Sequence, residues 1–199
     1  MLGFLCGATV ITGCAHAADA LPRFGPAAGA RNSLVIAGAQ GEALELVEPL
    51  HHTEAAMWPD MAAPLELALF ERANVDRVAN GLAPLTLDAA LLPVARTRAA
   101  DQTPGARLSH MDSSGHLAFV GLLAEAGAEY QLAGENLARL TGPEATAAAR
   151  AANALMNSPT HRANILEPTF DRLAVGMTVD ANGQIVFAQI FRANGTPAG

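Results

Sequence analysis

The chain has 199 residues, 51% of them hydrophobic but only 5% aromatic, which suits one domain plus extensions with a core of Ala, Leu and Val. Its net charge is −7, all twelve of its basic residues are arginine, and no basic run occurs, which argues against a nucleic-acid partner.

The first twenty residues read as an export signal. Leu2 to Gly13 is a short apolar run, and small residues follow in Ala15-His16-Ala17-Ala18. The length is that of a signal core, not of a spanning helix. Ile11-Thr12-Gly13-Cys14 resembles a bacterial lipobox, which would make Cys14 the site of lipidation. The alternative is plain cleavage after Ala17 or Ala20, with Cys14 discarded. Residues 1–17 are therefore assigned as a leader. Cys6 and Cys14 are the two cysteines, so the rest of the chain has no disulfide.

Residues 18–60 read as a flexible acidic linker. Pro22, Gly25, Pro26 and Gly29 loosen its start, while Glu42, Glu45, Glu48, Glu54 and Asp60 stand without an arginine among residues 41–60. Leu34-Val35-Ile36 and Leu44 to Val47 suit two short strands. His51-His52 has no partner pair nearby and reads as incidental, and Trp58 stands alone before the domain.

The domain is expected over residues 61–199. Leu65, Leu67, Leu69, Phe70, Val75 and Val78 recur at helical intervals up to Asn80-Gly81. Asp88 suits the cap of a second helix carrying Leu91, Leu92, Val94 and Ala95. Phe119, Leu122 and Leu123 share a face of a third, ending at Gly127. An alanine-rich fourth helix covers Glu144 to Met156. Strands are expected at Glu135–Leu140, Leu173–Val179 and Ile185–Phe191, the last two joined by a turn at Asp180-Ala181-Asn182-Gly183. Helices separate the strands, so the expectation is an α+β fold: a small antiparallel sheet flanked by about four helices.

Residues 157–166, Asn-Ser-Pro-Thr-His-Arg-Ala-Asn-Ile-Leu, combine a helix stop, a helix start and a histidine. Ser158 is a good N-cap and Pro159 suits the first helical position. His161 then sits near the positive helix end, which disfavours its protonated form. This stretch resembles the S-P-G-H-R-x-N-I-L signature of the CAP superfamily, the cysteine-rich secretory, antigen 5 and pathogenesis-related proteins. Gly134-Glu135-Asn136-Leu137-Ala138 is similar to its G-E-N motif and Leu108-Ser109-His110 to its F-S-H. Asn74 to Leu85 resembles its first helix and exit, Ala95 to Asp101 its second helix, and Phe187 to Phe191 its closing W-T-Q-x-F. The order and spacing fit the short bacterial branch from about residue 64 to residue 192. The resemblance implies an α-β-α sandwich in which His110, Glu135 and His161 line one cleft.

Two neutral imidazoles, His110 and His161, can ligate a divalent ion, zinc above all, while a carboxylate ligates, orients a ring or accepts from bound water. The family's second acid falls at Val120 here, so metal binding is expected to be weak. Asp112 is the nearest substitute, and Glu125 falls half a turn or more away. No residue sits in a G-x-S-x-G elbow, and Ser109, Ser113, Ser114 and Ser158 read as caps and turns. No catalytic residue is assigned. The favoured function is an exported, non-enzymatic module whose cleft binds a small or lipidic ligand, a metal or an envelope protein. It touches a membrane only through a lipid at Cys14. Two alternatives stand beside it: a metal-dependent hydrolase with Glu135 as base, and a structural envelope protein.

Overall fold

The computed structural model describes residues 5–12, 33–34, 63–103 and 107–194. Cys14, His51, His52, Trp58 and the strand expected at Leu44 to Val47 lie outside these residues. Strand β1 (Leu5–Thr12) and the two-residue β2 (Ser33–Leu34) come first. Helix α1 (Pro64–Ala79) opens on Pro64, whose missing N–H costs nothing at that position. Its buried stripe is Glu66, Leu69, Phe70, Ala73 and Arg77, spaced by three and four residues. The apolar spacing places Val75 and Val78 on that stripe as well. They fall on the solvent side instead, 62% and 59% exposed, because the stripe's phase is set by Leu69 and Ala73.

Strand β3 (Thr86–Leu87) leads into a short 3₁₀ turn at Ala89–Leu91, where Asp88 caps the Ala90 N–H as its residue type suggests. Helix α2 (Leu92–Asp101) follows, then α3 (Ala118–Glu125), which ends at Gly127 with a φ of 63° that glycine takes without strain. Next come β4 (Leu132–Leu140), α4 (Ala147–Asn157), α5 (Pro159–Ile165), β5 (Arg172–Val179) and β6 (Ile185–Ala193). Asp180 shapes the β5–β6 turn, its Oδ1 accepting the N–H groups of Asn182 and Gln184.

The strand order is β2-β1-β4-β6-β5-β3. The four inner strands are antiparallel neighbours, and the two-residue outer strands pair in parallel. The α-β-α sandwich is present, with five α-helices among the described residues. Helix α2 covers one face of the sheet so closely that a Cβ built on Gly176 of β5 would stand 2.2 Å from the Ala95 backbone. Helices α1, α4 and α5 form the other side. The apolar run of the expected leader forms β1 and pairs along all but one residue of β4. A short apolar run rich in Thr, Val and Ile satisfies both a signal core and a strand, and periodicity alone does not separate them.

Candidate functional site

Alternation along β4 sends neighbouring side chains to opposite faces. Glu135 points towards α2, and Asn136 points towards α5. Glu135 is fully buried, and both carboxylate oxygens are engaged. Oε1 accepts from Arg98 Nε at 2.6 Å, and Oε2 accepts from Arg98 Nη2 at 3.3 Å and from His110 Nδ1 at 2.5 Å. Donation from His110 Nδ1 to a carboxylate fixes the tautomer, so the neutral ring carries its lone pair on Nε2. That Nε2 is buried and has no hydrogen-bond partner among the described residues.

Arg98 is the member of this site that the motifs do not mark. Its signal is nevertheless present: it lies on the buried stripe of α2 with Val94, Ala95 and Ala99, where an arginine needs an anion. Burial alone would pull its guanidinium down. The Glu135 charge, the hydrogen bonds to Glu135 and Asp101, and the Asp101 charge outweigh that and hold it above the usual arginine value. Arg98 Nη2 also donates to the Ser109 carbonyl at 2.7 Å, and Gln102 closes the same loop through both its amide groups. The loop that carries His110 is thus pinned to the C-terminal turn of α2.

His161 lies in the first turn of α5, as expected, and is buried. The Ser158 backbone carbonyl accepts the Arg162 N–H at 2.9 Å, but the Ser158 side chain makes no capping bond. Its hydroxyl is instead hydrogen-bonded to His161 Nδ1 at 2.6 Å and to Thr160 Oγ1 at 3.2 Å. The imidazole three residues on competes successfully for the hydroxyl that sequence rules reserve for the backbone. An amide network joins α5 to β4. Asn136 Nδ2 donates to the His161 carbonyl at 3.2 Å and to Gln189 Oε1 at 3.0 Å. Asn164 Nδ2 donates to the Glu135 carbonyl at 3.2 Å and to Asn136 Oδ1 at 2.9 Å.

The structure thus joins His110 directly to Glu135, and ties His161 to the same strand through backbone and amide groups. Asp112 does not supply the missing acid. Its Oδ1 accepts the N–H groups of Ser114 at 2.7 Å and His116 at 3.0 Å. The His116 amide first, then the Ser114 amide and the His116 charge, hold this carboxyl below its ordinary value. Val120 packs against the core, and Glu125 is exposed at the end of α3. The donor chemistry fits an imidazole ligand at His110 Nε2 with Glu135 behind it, orienting the ring. No group of three His, Cys, Asp or Glu side chains able to share a metal occurs among the described residues.

The profile of the cysteine-rich secretory protein family, CAP, matches residues 70–191. The chain is 32% identical over 119 residues to the uncharacterized protein YkwD of Bacillus subtilis (strain 168), a match covering 59% of this chain and 44% of that protein's length. Among solved structures it resembles an outer surface protein of Borrelia burgdorferi, with a TM-score of 0.56 and 19% identity over 67% of this chain and 95% of the other. It also resembles an extracellular protein containing an SCP domain from Bacillus anthracis str. Ames, with a TM-score of 0.54 and 24% identity over 74% of this chain and 45% of the other.

Proposed function

Because this chain belongs to the cysteine-rich secretory protein (CAP) family, we propose that it acts outside the cytoplasm as a binding module, its cleft at His110 and Glu135 receiving a small or lipidic ligand. The observation that carries this reading is the state of Glu135. Its oxygens accept from Arg98 and His110, at 2.6 and 2.5 Å for the shorter bonds, so in this arrangement the carboxylate holds and orients the imidazole. What remains without a partner among the described residues is the buried Nε2 atom of His110, which could accept from a ligand hydroxyl or amide or ligate a divalent ion. A metal held there would bind weakly, through imidazole nitrogen, with Glu135 orienting the ring.

Export is supported by the apolar leader and by the descriptions of two structural relatives as outer-surface and extracellular proteins. The lipobox-like Ile11-Thr12-Gly13-Cys14 favours a lipid anchor, and cell fractionation of a Cys14→Ser variant tests it. Equal solubility of variant and wild type in the envelope fraction leaves simple secretion.

A hydrolase is the second reading, and one observation favours it: the Ser158 hydroxyl lies 2.6 Å from an imidazole nitrogen of His161. Nucleophilic catalysis needs such a pair, but also a group orienting the base and donors for an oxyanion. The deciding experiment incubates the purified protein with a peptide library and compares wild type with Glu135→Gln and Ser158→Ala. Absence of turnover, together with a co-purifying small molecule that native mass spectrometry finds diminished in His110→Ala, supports the binding module. Turnover abolished by either substitution establishes the hydrolase instead.

A further inference from the structure

The second edge of β4 raises a separate question. One edge pairs with β6 over the full strand, and the other pairs only with β1. No element among residues 63–194 covers that second edge. The covering strand comes from the segment whose composition is that of an export leader. If processing removes it, β4 keeps a row of outward N–H and C=O groups with no partner, the usual template for strand addition.

The side chains add a requirement. Arg139 on β4 is 6% exposed, forms no ion pair among the described residues, and leaves Nε buried without a hydrogen-bond partner. Its Nη2 donates to the Gln102 carbonyl at the end of α2, which offsets part of the charge. In the register of the pair, Leu5 lies opposite Arg139. Residues 1–18 contain no Asp, Glu, Lys or Arg, so this occupant brings no counter-charge. Directly opposed residues in an antiparallel pair share a face, so an acidic side chain at that one position would meet the guanidinium.

We propose that the outer edge of β4 is a docking site for an extended apolar peptide strand of a partner protein, antiparallel to Leu132–Leu140 and carrying an acidic residue opposite Arg139. Strand β1 holds that place in the full chain and keeps the edge closed until it is displaced or cleaved. Specificity comes from a neutral, apolar strand that matches the pleat, with one acid in register. The proposal rests on backbone pairing and on Arg139, neither of which the cleft reading uses, so each stands or falls without the other.

The test uses the full chain carrying Ala8→Pro and Thr9→Pro together. Adjacent prolines remove at least one ladder N–H whatever the phase, and so release β1. The probe is an eight-residue peptide of the Leu5–Thr12 sequence with serine for Cys6 and either leucine or glutamate at the position of Leu5. Amide exchange at Leu132–Leu140 should quicken in the double-proline chain and slow again with peptide. That chain should bind at least about tenfold more tightly than wild type, whose tethered strand competes at high effective concentration. The glutamate peptide should bind about three- to fivefold more tightly than the leucine peptide. The preference should vanish in an Arg139→Gln background. Unchanged exchange in the double-proline chain overturns the proposal, as does peptide binding by neither chain or by both alike. A glutamate preference that survives Arg139→Gln, or a dimer forming in place of peptide binding, also overturns it. Should the prolines unfold the protein, Leu5→Glu in the otherwise intact chain gives the second readout. It should raise the melting temperature and slow exchange at Leu132–Leu140 only while Arg139 is present, and no such effect refutes the pairing.

Discussion

Replacing Arg98 with leucine isolates the energetics of the site. Glu135 is fully buried, and Arg98, itself 1% exposed, is the one guanidinium paired with it among the described residues. Removing one partner of a buried pair leaves an uncompensated charge and typically costs about 3–5 kcal/mol. The Ser109 carbonyl loses its Arg98 donor as well but keeps Gln102, so that part of the cost stays near the lower end of a hydrogen-bond deletion. Since domains of this size are stable by about 5–15 kcal/mol, the variant should fold with most of its margin gone. The penalty belongs to the ionised carboxylate. Removing both charges in Arg98→Leu/Glu135→Leu should recover at least about 2 kcal/mol relative to the single variant, because no charge is then stranded. Urea unfolding at about neutral pH gives midpoints and slopes for the four chains of the cycle. A cost for Arg98→Leu below about 1 kcal/mol, or additive effects in the double variant, would refute the picture of a buried, charge-balanced clamp.

Gly176→Ala should lower stability by about 2 kcal/mol or more and shift α2, since its Cβ would stand 2.2 Å from the Ala95 backbone and main chain cannot yield as a flexible side chain does. A thermal melt within a degree of wild type would contradict that close approach. Asp112 holds its loop through backbone bonds made by its ionised form and has a lowered pKa. Its stabilising effect is therefore present above the ordinary carboxylate value and lost as pH falls through the depressed one. The amide resonances of Ser114 and His116 should accordingly stay fixed through the usual carboxylate range and move only below it. Zinc titrated calorimetrically should bind weakly at neutral pH, and not at all in His110→Ala. Uptake unaffected by that substitution would place the ion elsewhere.

Most of the scaffold was readable from residue patterns. The Leu69–Ala73 spacing, Asp88 before the 3₁₀ turn, Gly127 after α3 and the Asp180–Gly183 turn each obey local rules that the tertiary structure leaves alone. The site was less readable. His110 and Glu135 lie 25 positions apart, and their contact followed only from family resemblance, because sequence spacing says nothing about which loop folds over which strand. Arg98 escaped notice because an arginine in a helix is normally exposed, and its partner sits on a strand 37 residues away. Ser158 shows a local rule overridden at short range: the cap residue is right, but a neighbouring imidazole takes its hydroxyl. Leu5–Thr12 shows a different limit, since one composition serves a signal core and a strand equally well.

Residues 63–194 contain no cysteine, and their long-range ties are built on guanidinium groups instead. Arg77, 1% exposed on α1, donates to the carbonyls of Ala83, Ile165, Glu167 and Phe170 and so fastens α1 to the stretch between α5 and β5. Arg96 joins α2 to Glu66, whose carboxylate also accepts the backbone N–H groups of Ala63 and Met177. Arg192 joins β6 to Asp88 and to the Glu129 carbonyl. Burial pulls the Arg77 guanidinium down, with the Glu167 charge only partly opposing it, so this tie is not electrostatically comfortable. It persists because five donors in a rigid fork collect carbonyls that would otherwise be buried unpaired, whereas a lysine offers three donors on one atom and cannot reach four acceptors spread over two segments. Such ties act less as a source of net stability than as a specification of which loop meets which helix. Arg98 is the same device used once more: the guanidinium that fastens α2 to β4 also orients Glu135, so the geometry around His110 and Glu135 follows from the way these helices are tied to the sheet.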